Sequence, residues 1–167
     1  MYRILVVANQ TLGGTELLEV LRSRVAQQRC ELHVVVPLTP MKSANPGGGT
    51  TPIAMLAAGG AGMAVAHGGE GDEDVSVKTA EVHLSRAIDQ FRRLGVDVSG
   101  DIGHRDPVHA IQEALRLKPA DEVVLATLPP GISRWLRQDV VHRARRAVAV
   151  PLTHVVCTPA ELAARKA

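Results

Sequence analysis

With 167 residues, 46% of them hydrophobic, and a formal net charge of +2, the chain is long enough for one domain with its own core. The charge is too small to point to nucleic acid or to an acidic membrane surface. Aromatic residues make up only 2% (Tyr2, Phe91 and Trp135), so the core has to be aliphatic and the stacking platforms of single-strand nucleic-acid binders are missing.

Cys30 and Cys157 stand apart, with no CxxC and no His at ligand spacing, and read as reduced, buried thiols of a cytoplasmic chain. The seven histidines are dispersed and give no metal spacing, so no metal is expected. Ile4-Leu-Val-Val-Ala8 is too short for a signal-peptide core. The apolar run from Ile53 to Ala66 is broken by Gly59, Gly60 and Gly62 and falls short of the roughly 20 residues of a spanning helix. No membrane partner is expected.

In chain order, Tyr2–Ala8 is the first strand, apolar nearly throughout as burial on both faces requires. Residues 9–14 turn the chain, and Thr15 is expected to cap a helix whose Leu17, Leu18, Leu21 and Val25 share a face. Glu31–Val36 is the second strand, with Pro37 and Pro40 ending it. Residues 43–72 form a Gly/Ala/Pro-rich insertion, read as disordered, with a ligand-closing lid as the less economical view.

A helix follows over about Ser76–Leu94, with Leu84, Ala87, Ile88, Phe91 and Leu94 at three and four spacing and Gly95 as its stop. Val96–Gly100 alternates as a third, edge-side strand. Asp106-Pro107 starts the next helix, the Asp capping and the Pro at the first helical position, with Val108, Ile111, Ala114 and Leu115 buried. Glu122–Thr127 is strand four. Ser133 to about Arg146 is expected as one helix burying Leu136, Val140, Val141 and Ala144, and Val150–Val156 is strand five. Helical crossovers between five strands make a parallel sheet covered on both faces, an α/β/α sandwich. The domain is expected to span 1–158, with 159–167 as a tail.

The chain resembles the universal stress protein family, of the adenine-nucleotide α-hydrolase-like superfamily. The resemblance rests on Arg3-Ile-Leu-Val-Val-Ala8, on Gly103-His-Arg-Asp-Pro107 before a helix, on Ala120-Asp-Glu-Val-Val-Leu-Ala-Thr127 and on Pro151-Leu-Thr-His-Val-Val156. The segment Thr127-Leu-Pro-Pro-Gly-Ile-Ser-Arg-Trp-Leu-Arg137 is similar to a divergent bacterial subgroup of that family. The resemblance covers all but about residues 40–72 and implies strand order 3-2-1-4-5, a homodimer and ATP or another adenine nucleotide as ligand. One departure is plain. The family's G-x2-G-x9-G-[S/T] falls here on Ala126, Pro129, Asp139 and Val140, so none of its glycines is kept, and the acidic residue often found after strand one falls near Asn9.

In that strand order, strands one and four are neighbours where the winding reverses, and their loops face one crevice. The candidate ligand-facing set is Ala8, Asn9 and Gln10 after strand one, Val36 ending strand two, and Gly103 and His104 after strand three. Around strand four it adds Thr127, Pro130, Gly131, Ser133, Arg134 and Trp135. Pro129 and Pro130 stiffen the loop, Ser133 caps the helix, and the N–H groups near Arg134 and Trp135 suit a phosphate or carboxylate. Each has a plainer reading. The loop is a rigid turn, Trp135 a packing or dimer residue, Asp106 a cap, and His154 a hydrogen-bonded core histidine.

No complete catalytic motif is present. Gly131-Ile-Ser-Arg-Trp135 lacks the second Gly of a nucleophile elbow, and Asn9–Gly14 is not a phosphate loop. The expected function is therefore non-enzymatic binding of a nucleotide or other small anion between the loops after strands one and four. The alternative is an interaction module that has lost nucleotide binding, with Trp135 and its neighbouring arginines as the partner surface. A weak nucleotide hydrolase ranks third.

Overall fold

In this computed structural model, residues 1–38 and 70–158 are described, save for the side chains of 70–76 and 134. The elements are β1 (Tyr2–Val7), α1 (Thr15–Gln27), β2 (Cys30–Pro37), α2 (Glu70–Arg92) and β3 (Asp97–Gly103). The second half adds α3 (Pro107–Leu117), β4 (Glu122–Thr127), α4 (Arg134–Arg137), α5 (Val140–Ala147) and β5 (Leu152–Val156). The sheet is five-stranded and wholly parallel, in the order β3-β2-β1-β4-β5.

Strand composition explains the layering. Ile4 and Val6 of β1 join Leu17 and Leu21 of α1 and Ala80, Ala87 and Phe91 of α2 in one hydrophobic cluster. Leu5 and Val7 face the other way, onto Val108, Ile111 and Ala114 of α3 and Val140 and Ala144 of α5. Alternate residues of one strand thus feed both layers, which is why the strand is apolar at nearly every position. Every residue of β4 is buried, and β3, on the edge, is not.

Several boundaries differ from expectation. Thr15 is the first residue of α1, and Gly14 holds the cap position without a side-chain hydrogen bond. Pro37 is the last residue of β2 rather than the stop after it; a terminal position costs the ladder little. The helix expected from Ser76 begins at Glu70. The third strand runs to Gly103, because Asp101, Ile102 and Gly103 pair with Val35, Val36 and Pro37. The expected insertion at 43–72 and the tail at 159–167 lie outside the described residues, apart from 70–72 in α2.

The largest difference is the last helix, which is two. Asp139 sits in the left-handed region at φ 53°, closing α4 and opening α5. An Asp tolerates that conformation better than most side chains. The apolar period survives the break because Val140 and Ala144 of α5 alone carry the buried stripe.

The Asp106 cap holds: its carboxylate accepts from the Val108 N–H at 3.1 Å, with Pro107 at the first helical position. It also accepts from the Arg143 guanidinium at 2.7 Å, which docks α5 on the start of α3. Both cysteines are free and buried, and burial pushes the Cys157 thiol up to about 11, so it stays protonated. Among the described residues, no helix is long and apolar enough to cross a membrane.

Candidate functional site

β1 and β4 are paired from Ile4–Glu122 to Val7–Leu125, so the turns that follow them open side by side at the carboxyl edge of the sheet. In a doubly wound sheet this is the position where the helical connections diverge to opposite faces and leave a crevice. The Thr11 hydroxyl spans the two segments, donating to the Ala126 carbonyl at 3.2 Å. Above that bond lies a cavity of about 300 Å³. Asn9, Gln10 and Thr11 line it from the β1 side, and Ala126, Thr127, Leu128, Ile132, Ser133, Trp135 and Arg137 from the β4 side.

The β4 wall is shaped by its sequence. Pro129 presents its carbonyl to the Ile132 and Ser133 N–H groups at 3.3 and 3.1 Å, folding Pro-Pro-Gly into a tight turn. Gly131 takes φ +94° there, a conformation that would strain any other residue type. Ser133 is buried and its Oγ accepts from the Leu136 N–H at 3.2 Å, capping α4. The helix it caps is four residues long. A single turn carries little macrodipole. Arg137, at the end of that turn, lines the cavity and supplies a full positive charge instead.

Of the residues singled out from the sequence, Asn9, Gln10, Thr127, Ser133 and Trp135 line this cavity together. Ala8 and Val36 are wholly buried in the core beneath it. Gly103 is a packing residue at the end of β3: a Cβ there would come within 2.8 Å of the Ala110 side chain on α3. His104 accepts from the Asp106 N–H through Nδ1 at 3.0 Å and stacks on His109, with ring centroids 4.4 Å apart. Pro130 and Gly131 form the turn but are not among the lining residues, and the Arg134 side chain lies outside the described set.

Thr11, Ala126, Leu128, Ile132 and Arg137 were outside the candidate set. Thr11 had a signal, standing beside Asn9 and Gln10 with a hydroxyl able to bridge to a neighbouring strand end. The facing of Arg137 depends on where α4 stops, and nothing in the local pattern announces Asp139.

Three contacts fix two lining side chains from behind. The Asn9 amide donates to the Pro37 carbonyl at 3.1 Å, and its Oδ1 lies 3.3 Å from His83 Nδ1 on α2. The Thr127 hydroxyl lies 2.8 Å from His154 Nε2 on β5, so His154 is hydrogen-bonded as expected and touches a lining residue.

At the opposite end of β4, the buried Glu122 accepts Arg24 through both carboxylate oxygens, at 2.9 and 3.0 Å, with Thr153 at 2.5 Å and Tyr2 at 3.4 Å. Burial pushes its pKa up, and these donors outweigh it, holding the carboxyl below its ordinary value. This cluster is a clamp between α1 and three strands, remote from the crevice. Among the described residues, no group of three or more His, Cys, Asp or Glu could hold a metal ion.

Comparison with solved structures decides the fold. A universal stress protein from Archaeoglobus fulgidus superposes with a TM-score of 0.58 at 18% identity, covering 93% of each chain. The fold is that of the universal stress proteins. The Archaeoglobus fulgidus protein in complex with dAMP gives a TM-score of 0.57 at 17% identity, over 93% of this chain and 98% of that one. A universal stress protein family protein from Arabidopsis thaliana with AMP bound gives 0.54 at 10% identity, over 96% and 95%. No family model and no curated protein matches the chain.

Proposed function

We propose that this chain is a universal-stress-type protein that binds a nucleotide or similar small anion between the turns after β1 and β4, without turning it over. The observation that carries the reading is the cavity itself. It is walled on the β1 side by Asn9 and Gln10 and on the β4 side by Thr127, Ser133, Trp135 and Arg137. A guanidinium suits a phosphate, an indole offers a face to a base, and the amides and hydroxyls suit a sugar. The dAMP- and AMP-bound structures with the same fold make an adenine nucleotide the first ligand to test.

Among the described lining residues there is no carboxylate and no histidine, which supports binding over hydrolysis. The family's three glycine positions hold Ala126, Pro129 and Asp139, so the reading gives the phosphate to Arg137 rather than to backbone N–H groups. The wider reading is a cytoplasmic homodimer of the stress-response type, paired through the edge strand β5.

Trp135 is the chain's one tryptophan and a lining residue, so its emission is a direct probe. Titration with AMP, ADP and ATP is expected to change that emission saturably for at least one of them. No change with any nucleotide, together with no shift in melting temperature, overturns the reading. An interaction module built on Trp135 is less favoured, because the indole packs on the cluster beneath α3 and α5 instead of standing free.

A further inference from the structure

We propose that His154 is a positioning residue that sets what Thr127 offers a ligand: a hydroxyl donor when the imidazole is protonated, and an acceptor when it is neutral. The inference rests on the binding reading above and deepens it, making the cavity's preference for anions depend on a side chain that does not line it.

The geometry is short and specific. Thr127 ends β4, lines the cavity and is buried, so its hydroxyl has few partners to choose from. His154 Nε2 lies 2.8 Å from that hydroxyl, across the β4–β5 ladder. A hydroxyl has one proton and two lone pairs. In the neutral ring with its proton on Nδ1, Nε2 is bare and accepts the hydrogen bond of the Thr127 hydroxyl, leaving oxygen lone pairs for a ligand. When the ring is protonated, Nε2–H donates to Oγ1, and the Thr127 proton is released to point elsewhere. An anionic group then gains a donor it did not have.

The surroundings hold the ring in its neutral form at neutral pH. Burial comes first and the Arg145 charge on α5 second, and both push His154 below its ordinary value. β4 places Leu125 and Thr127 beside the ring, and on α1 the Glu16 carboxylate is engaged by the Thr158 N–H at 3.1 Å. The protonated form is therefore reached only on acidification below the ordinary imidazole range, with the hydroxyl turned over as it forms.

The test is AMP affinity by calorimetry for the intact protein, His154→Phe and Thr127→Val, at steps from about pH 7.5 to about pH 5. The ratio of wild type to variant cancels the titration of the AMP phosphate itself. Wild type is expected to gain roughly tenfold over His154→Phe across that range, the scale of one added hydrogen bond to a charged group. Thr127→Val should lose the same gain, and the double variant should lose no more than either single one. Adenosine, without the phosphate, should show no gain. A purely structural His154 would lower the melting temperature and leave the pH profile in place.

If His154→Phe binds AMP with the wild-type profile, or adenosine shows the same gain, the inference is overturned while the binding reading stands. If wild type binds AMP at no pH, both fall. Should His154→Phe fail to fold, Thr127→Val carries the same comparison.

Discussion

The Thr11 hydroxyl donates to the Ala126 carbonyl at 3.2 Å, joining the turn after β1 to the end of β4 across 115 residues of sequence. Ala126 would otherwise present that carbonyl to the bottom of the cavity, and a buried acceptor without a partner is costly. The same bond holds the two turns at a fixed separation, so the pocket is largely formed before any ligand arrives. Thr11→Val is expected to cost about 1 kcal/mol, a fall in melting temperature of roughly 2–4 °C for a chain of this size. Chemical denaturation checks it.

Glu122→Gln should cost more. The carboxylate side chain is 4% exposed and Arg24 keeps 31%, so the pair is mostly desolvated. Removing one partner of such a pair leaves the other charge poorly compensated, at about 3 kcal/mol. The change shows as a lower urea midpoint with an unchanged slope, and nucleotide binding should survive because the cluster lies at the far end of β4.

Acid stability follows from the same carboxylates. Burial raises Glu122 and Asp106, and their Arg24 and Arg143 hydrogen bonds outweigh it, leaving both below their ordinary values in the folded protein. A depressed acid contributes stability that is present above its unfolded value of about 4 and is lost as the pH falls through the lower folded value. His33 and His154, lowered first by burial, act in the same direction: the unfolded chain takes up their protons first, below about 6.5. Unfolding free energy should therefore slope down gently below about pH 6.5 and steeply below about pH 4. In Glu122→Gln the steep part should be shallower. A flat profile down to about pH 3 contradicts this.

Asp139 gives a test of where α4 ends. At φ 53° a β-branched side chain is strained, so Asp139→Val should cost about 1–2 kcal/mol, while Asp139→Gly should be neutral or stabilising. A continuous helix over 134–147 would give the reverse order, with Gly costing about 1 kcal/mol and Val less. The two substitutions compared by thermal melting separate the cases.

The sequence carried much of the fold and part of the site. β4 is built on the apolar run Val123–Ala126 between Glu122 and Thr127, and the Asp106-Pro107 start is local chemistry that needs no partner. β3 was harder. Val96–Gly100 reads as a strand by its alternation, and Asp101, Ile102 and Gly103 join it because β2 supplies the pairing. The break at Asp139 was hidden for a related reason: Leu136, Val140 and Ala144 keep helical spacing through it, so periodicity could not report the change in backbone hand. Arg137 stayed out of the candidate set although it stands one turn after Ser133 and lines the cavity.

Ligand binding in this cavity requires Arg137 and its neighbours to hold a phosphate. Calorimetric titration of AMP into the wild-type protein and Arg137→Ala tests this most directly. One ligand per chain is expected, with the variant at least about tenfold weaker, the loss of one hydrogen bond to a charged group, and with an unchanged melting temperature for the free protein. Equal binding by both proteins, or none by the wild type, contradicts it.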